Sequence, residues 1–270
     1  LSAQILTLSG ETGKSASEIA ESVYSAISAS VDTAAAVDFV RQSTQLATGG
    51  FTEAQTAVDV LTTALNAYHL SVSETEKVSD VLVTTQKLGK TTVDELAQSV
   101  GKVIPLAAAY SMNIENLGTS YAELTKNGIA TAEAGTYIKS MLTELGDSGS
   151  AVAGILRDQT GKSFAELMAD GASLGDVIAA LIQGVGGSKD AFAELWSSTE
   201  AGVGALSLLG SGADAFNTTL AAMENSAGAT ADAYGKMADT TEFAHQRMTT
   251  ALDNLKIAIG SELNPALQAL

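Results

Sequence analysis

The sequence predicts an all-α protein, an array of short capped amphipathic helices joined by Gly-rich turns and ending in a longer C-terminal helix. Three observations predict it. Amphipathic runs begin again and again just after a Ser, Thr or Asn, residues whose side chains cap free helix amides. Small residues fill the apolar share: 46% of the chain is hydrophobic, Ala supplies much of that, and only 5% is aromatic. Ala loses little side-chain entropy in a helix and lets helix axes approach closely. Finally, the strict apolar–polar alternation of a half-buried strand is nowhere sustained.

In chain order, Ser15-Ala16-Ser17-Glu18 fits the capping box, and Ile19, Val23 and Ile27 then share one face. Thr52 to Gln55 repeats the device ahead of Val58, Leu61 and Leu65. Ser73 to Glu76 leads into Val78 and Leu82, and Thr92 to Glu95 leads into Leu96, Val100 and Val103. Gly49-Gly50, Gly89, Gly128 and Gly146 stand just past periodic runs, where a glycine in the left-handed conformation ends a helix. Lys87 and Lys126 fall in final turns, where a cation suits the negative helix end. Pro105 interrupts the run Val100 to Tyr110 and predicts a kink or a break there.

Composition shifts near Gly146 and divides the chain into 1–146, a helical core region, 147–212, a Gly-rich helical region, and 213–270, a C-terminal helical region. Gly184-Val185-Gly186-Gly187 is the loosest point. Ser163 to Ala169, Ser173 to Ile182 and Ser188 to Trp196 still read as short helices. The run Thr240 to Gly260 reads as the longest helix. Met248, Leu252, Leu255 and Ile259 trace one of its faces, and Pro265 follows its expected end. No fixed-period repeat marks a solenoid.

Charge and composition exclude several function classes. With 14 basic residues against 31 acidic ones, the formal charge is −17, which disfavours phosphate backbones and anionic membrane surfaces. A basic protein partner is compatible with it. The absence of Cys removes disulfides, zinc ribbons and thiol nucleophiles. No stretch approaches the ~18 consecutive apolar residues of a spanning helix. A start at Leu1 with neither Met nor a basic leader predicts a fragment or a processed product.

Candidate chemical motifs fail on context. Gly13-Lys14-Ser15 and Gly161-Lys162-Ser163 share the end of the phosphate loop, but its first glycine is replaced by Leu8 and Leu156, and no strand precedes either. Each Ser is better placed as a helix cap. His69 and His245 have no partner at metal spacing. Asp94-Glu95 sits in a first helical turn, where the dipole explains it. Gly171 to Gly175 has the letters of the nucleophile elbow around Ser173, yet a helical run precedes it instead of a strand. The sequence thus predicts no catalytic, cofactor-binding or metal-binding residue, no cofactor and no enzyme.

A further set of segments resembles phage tail tape measure proteins. They are Thr12 to Ala20, then Leu61-Thr62-Thr63-Ala64-Leu65-Asn66-Ala67-Tyr68, then Glu95 to Ala107. Gly128-Ile129 with Glu133-Ala134-Gly135-Thr136 follows, and the closing stretch Leu252 to Lys256 with Gly260, Leu263 and Pro265. Their order and spacing carry the resemblance, which covers roughly Thr12 to Leu267 and is weakest between Gly146 and Gly187. It implies a structural virion protein packed in the tail lumen, around which tube subunits polymerise. Its length sets tail length, and it leaves ahead of the DNA at infection, passing from the host cytoplasm at assembly to the host envelope at ejection. The implied partners are the tail tube protein, tail tip or baseplate proteins, tail assembly chaperones, and further copies of itself, as a trimer. The resemblance implies no nucleic-acid binding by this segment, and membrane contact only through other parts of the parent protein. A helical pore-forming or membrane-remodelling protein is the alternative.

Overall fold

The computed structural model describes residues 1–268. Local capping chemistry sets many of its helix starts. The chain enters through α1 (Ser2–Thr12), which Gly13 stops in the left-handed conformation at φ 72°. Two residues later Ser15 accepts the Glu18 amide, the Glu18 carboxylate accepts the Ser15 amide, and α2 (Ala16–Ser28) begins. Then follow α3 (Ala36–Gly50), α4 (Ala54–Ala67), a 3₁₀ turn (Val72–Glu74) and α5 (Thr75–Leu88). Thr92 and Glu95 form the expected box at the start of α6 (Val93–Val100). Pro105 lies in the first turn of the next helix, α7 (Ile104–Ala109), so the run breaks there. A first-turn proline lacks only an amide that has no helical partner anyway.

After these come α8 (Ile114–Lys126) and α9 (Thr131–Gly146). The Gly-rich stretch holds α10 (Ala151–Thr160), α11 (Phe164–Ala169), α12 (Leu174–Gly184) and α13 (Lys189–Glu194). Ser163, Ser173 and Ser188 cap the last three. The chain closes with α14 (Thr199–Ser211), α15 (Ala213–Glu224), α16 (Ala229–Ala238) and α17 (Thr241–Gln268). The protein is all-α, 77% helical, with no strand among the described residues.

Several local expectations shift. Gly49 and Gly50 do not stop α3; they are buried within it, and the left-handed stop is Phe51 at φ 57°. Close packing explains them: a Cβ on Gly50 would stand 2.7 Å from the Val93 side chain, and one on Gly49 2.9 Å from the Tyr234 amide. Gly89 follows α5 in an extended conformation, and Gly146 is the last residue of α9. Of the four expected stops, Gly128 alone takes a positive φ. Thr52 caps nothing, because its hydroxyl donates to Asp94 at 2.7 Å and Glu53 stands at the helix start. The box expected at Ser73 forms two residues earlier, between Ser71 and Glu74. α17 is the longest helix and runs past Pro265, a residue that biases against helix without forbidding it.

The packing centres on α8. Every residue from Ile114 to Thr125 is buried, with α5, α7, α9, α14 and α15 around it. The hydrophobic core runs without interruption from Leu8 to Met223, and its largest fully enclosed side chains are Tyr121, Phe39, Phe164, Phe192 and Phe216. Elements far apart in sequence close the fold: α16 packs on α3 and α5, and α17 on α1.

Candidate functional site

Two of the segments that carry the resemblance, Glu95 to Ala107 and Glu133 to Thr136, meet across one groove. Its first wall is α6, fixed by the Thr92–Glu95 box, and its second is the start of α9. The Glu95 carboxylate also accepts the Thr131 hydroxyl at 3.1 Å, so one acid ties both walls. Beneath them Ser99 donates to the Thr131 carbonyl at 3.2 Å and shares a 2.9 Å hydrogen bond with the Tyr121 hydroxyl. Burial pushes the Tyr121 phenol well above its ordinary range, against the opposing effect of Ser99, so it stays neutral. Gly135 sits directly over this pair, where a Cβ would strike Ser99 Oγ and Tyr121 Oη.

The groove encloses about 510 Å³ and presents Gln98, Lys102, Thr136, Lys139 and Ser140. Two ammonium groups with amide and hydroxyl partners can hold a polar or acidic surface. The hydroxyl–carboxylate contact in its lining, Thr131 to Glu95, belongs to the helix junction, with Glu95 also held in the Thr92 cap. Of its motif residues, Glu95, Ser99 and Gly135 join α6, α8 and α9, while Gln98, Lys102 and Thr136 face the groove built over that junction.

Buried acids elsewhere cap helices across the fold. Asp80 on α5 is almost fully enclosed, and its two oxygens accept the Gly228 and Thr230 amides, each at 2.8 Å. These are the free amides at the start of α16, which has no side-chain cap of its own. Glu144 on α9 does the same for α14, accepting the Ser197 and Ser198 amides at 2.7 and 2.9 Å and the Ser198 hydroxyl at 2.8 Å. Burial pushes the Glu144 carboxyl up, but these donors together outweigh it and hold the group below its usual range. Asn116 on α8 accepts the Leu174 amide at 3.0 Å, at the start of α12. Sequence reasoning missed all three, since each partner lies more than 50 residues away and no local spacing signals it.

The residues weighed for chemistry occupy structural positions. Gly13 and Gly161 are left-handed stops, and Ser15 and Ser163 are the caps that follow them. Lys14 pairs with Glu18 at 3.8 Å, and Lys162 with Asp170 at 2.5 Å. His69 and His245 are exposed and far apart in the sequence, and no acidic or histidine cluster suited to a metal occurs among the described residues. Asp94 and Glu95 point to different partners, Thr52 and Thr131. Ser173 caps α12, donates to Asn217 at 2.5 Å and is preceded by a helix.

Residues 2–201 match the family described as phage-related minor tail protein. The chain belongs to this family. Membership makes it a structural component of a phage tail, and so of the virion. The chain is also similar to a probable tape measure protein of Clostridium phage phiCD119, at 36% identity over 278 residues. That alignment takes in 99% of this chain and 29% of the relative. No solved structure matches the minor tail chain.

Proposed function

We propose that this minor tail chain is a segment of a tape measure protein, which sets tail length during assembly and leaves the tail ahead of the DNA. One observation carries the proposal: the 36% identity to a probable tape measure protein runs over nearly the whole chain. The segment works by helix packing and by contacts with the tube protein, with tip or baseplate proteins and with assembly chaperones. In the tail it lies in the lumen beside further copies of itself. Among the described residues no helix is long and apolar enough to cross a membrane, which favours this proposal over a pore-forming protein.

A ruler must convert residues into length, and a compact body does so poorly. One continuous helix of this chain would extend about 400 Å at roughly 1.5 Å per residue. A compact fold of the same chain has a radius of gyration of about 18 Å. The proposal therefore includes a switch: the packed fold forms before assembly, and its helices are drawn out inside the tube. Folded domains are stable by only about 5–15 kcal/mol, a sum that tube contacts along the extended helices can offset. Cryo-electron microscopy of assembled tails tests the switch. Rods of helix along the lumen are expected, and the α8-centred bundle seen intact in the tube would overturn it.

A further inference from the structure

The groove between α6 and α9 has a direction. Glu95 meets Thr131 and Ser99 meets Gly135, so its two walls run parallel. Lys102 stands three residues beyond Ser99, and Lys139 four beyond Gly135. Both line the groove, and this register places both lysines at one end of it. Glu95, the only acid among the described lining residues, lies toward the other end. Its carboxylate is held there by the Thr92 amide and the Thr131 hydroxyl, each at 3.1 Å.

Neither cation is used within the fold. Lys102 and Lys139 are exposed, and among the described residues neither forms an ion pair. No acid stands three or four residues from either, the spacing at which a helix pairs its own charges. Two lysines against Glu95 leave the lining at +1, on a chain that carries −17 overall. The sign of the surface reverses here, and an anionic group is what this end attracts.

The rest of the lining selects which anion. Val103, Ala130 and Ala132 supply apolar surface between the polar ends. Gln98 donates its side-chain N–H to Asp94 at 2.8 Å, which leaves its carbonyl oxygen free to accept from a backbone amide. The Ser140 hydroxyl lies beside Lys139. A bare phosphate or acetate would leave the apolar surface and the Gln98 acceptor unused. Nucleic acid would carry its charge past two lysines and onto acidic surface, whereas a short segment ends within the groove.

We propose that the α6–α9 groove is a docking site for a short acidic peptide segment of a partner protein. Its carboxylates pair with Lys102 and Lys139, an apolar side chain rests on Val103 and the alanines, and a backbone amide donates to Gln98. The proposal goes beyond the tape measure reading and does not depend on it.

Titration of the isotope-labelled 270-residue chain with the capped peptide acetyl-Leu-Leu-Glu-Glu-amide, followed by amide chemical shifts, tests it. The largest shifts are expected at Gln98, Lys102, Thr136 and Ser140, with an affinity that falls as salt is added. Lys102→Gln with Lys139→Gln should weaken binding about tenfold, the reach of two surface ion pairs. The melting temperature of that variant should not change, because both side chains are exposed and unpaired. Absence of shifts at the groove overturns the proposal, as does a double variant that binds equally well. So does equal binding of the peptide with Gln in place of both Glu residues. Equal shifts from sodium phosphate alone would make the groove a bare anion site and overturn it too. None of these outcomes bears on tail length, which is judged on assembled tails.

Discussion

At the residue scale, stability rests on polar groups placed where hydrophobicity alone would not put them. Asp80→Ala leaves the start of α16 without an acceptor and should cost about 2 kcal/mol, the worth of hydrogen bonds to a charged group, in a urea titration. Amide exchange at Gly228 and Thr230 should accelerate beyond the global average in the same variant. Gly135→Ala forces a methyl into Ser99 and Tyr121 and should cost about 1–3 kcal/mol by overpacking. Glu144 predicts a pH dependence. Its folded-state pKa lies below the unfolded value, so its contribution is complete above the unfolded pKa of about 4.3 and is lost as pH falls through the folded value. Asp176 acts in the same sense, burial raising its pKa and the Asn217 and Ser173 hydrogen bonds together lowering it further. The melting temperature should fall steeply below about pH 4, and Glu144→Gln should flatten part of that fall. An unchanged slope in that variant would show that other carboxylates carry it.

At the element scale, capping boxes were the most legible feature of the sequence. The boxes read at Ser15 and Thr92 form, and Ser163 and Ser173, read only as helix starts, form boxes too, because both partners lie within four residues and the geometry is local. Thr52 and Ser73 show the limit of this reasoning. The letters were suitable, but a nearby Asp94 drew the Thr52 hydroxyl away and Ser71 offered a box two residues earlier. The glycine stops were less legible, since Gly50 is required by Val93, 43 residues on, and a sequence does not distinguish a glycine needed for contact from one needed for a turn. The α6–α9 groove was half legible. Its two motif segments were visible, but their meeting through Ser99, Tyr121 and Thr131 is a tertiary fact. The α17 stripe was read correctly as a face, and its exposure was not, because periodicity reports which residues align and never what covers them. Ser173→Ala separates a cap from a nucleophile: it should cost about 1 kcal/mol of stability.

At the scale of the whole molecule, two demands pull against each other. Among the described residues, sixteen short helices and the longer α17, tied by cross-element caps and one continuous core, make a packed body. A tape measure needs length. The two are compatible if the helices survive while the contacts between them are exchanged for contacts with the tube, and the caps that act within one helix favour this. Those acting across helices, Asp80 and Glu144, would be released on extension. The most direct test of the central claim is to delete an in-frame block of about 90 residues from this region in the parent phage and measure tail lengths by electron microscopy. The account predicts tails shorter by about 135 Å, the rise of the missing helix. Tails of unchanged length would contradict it.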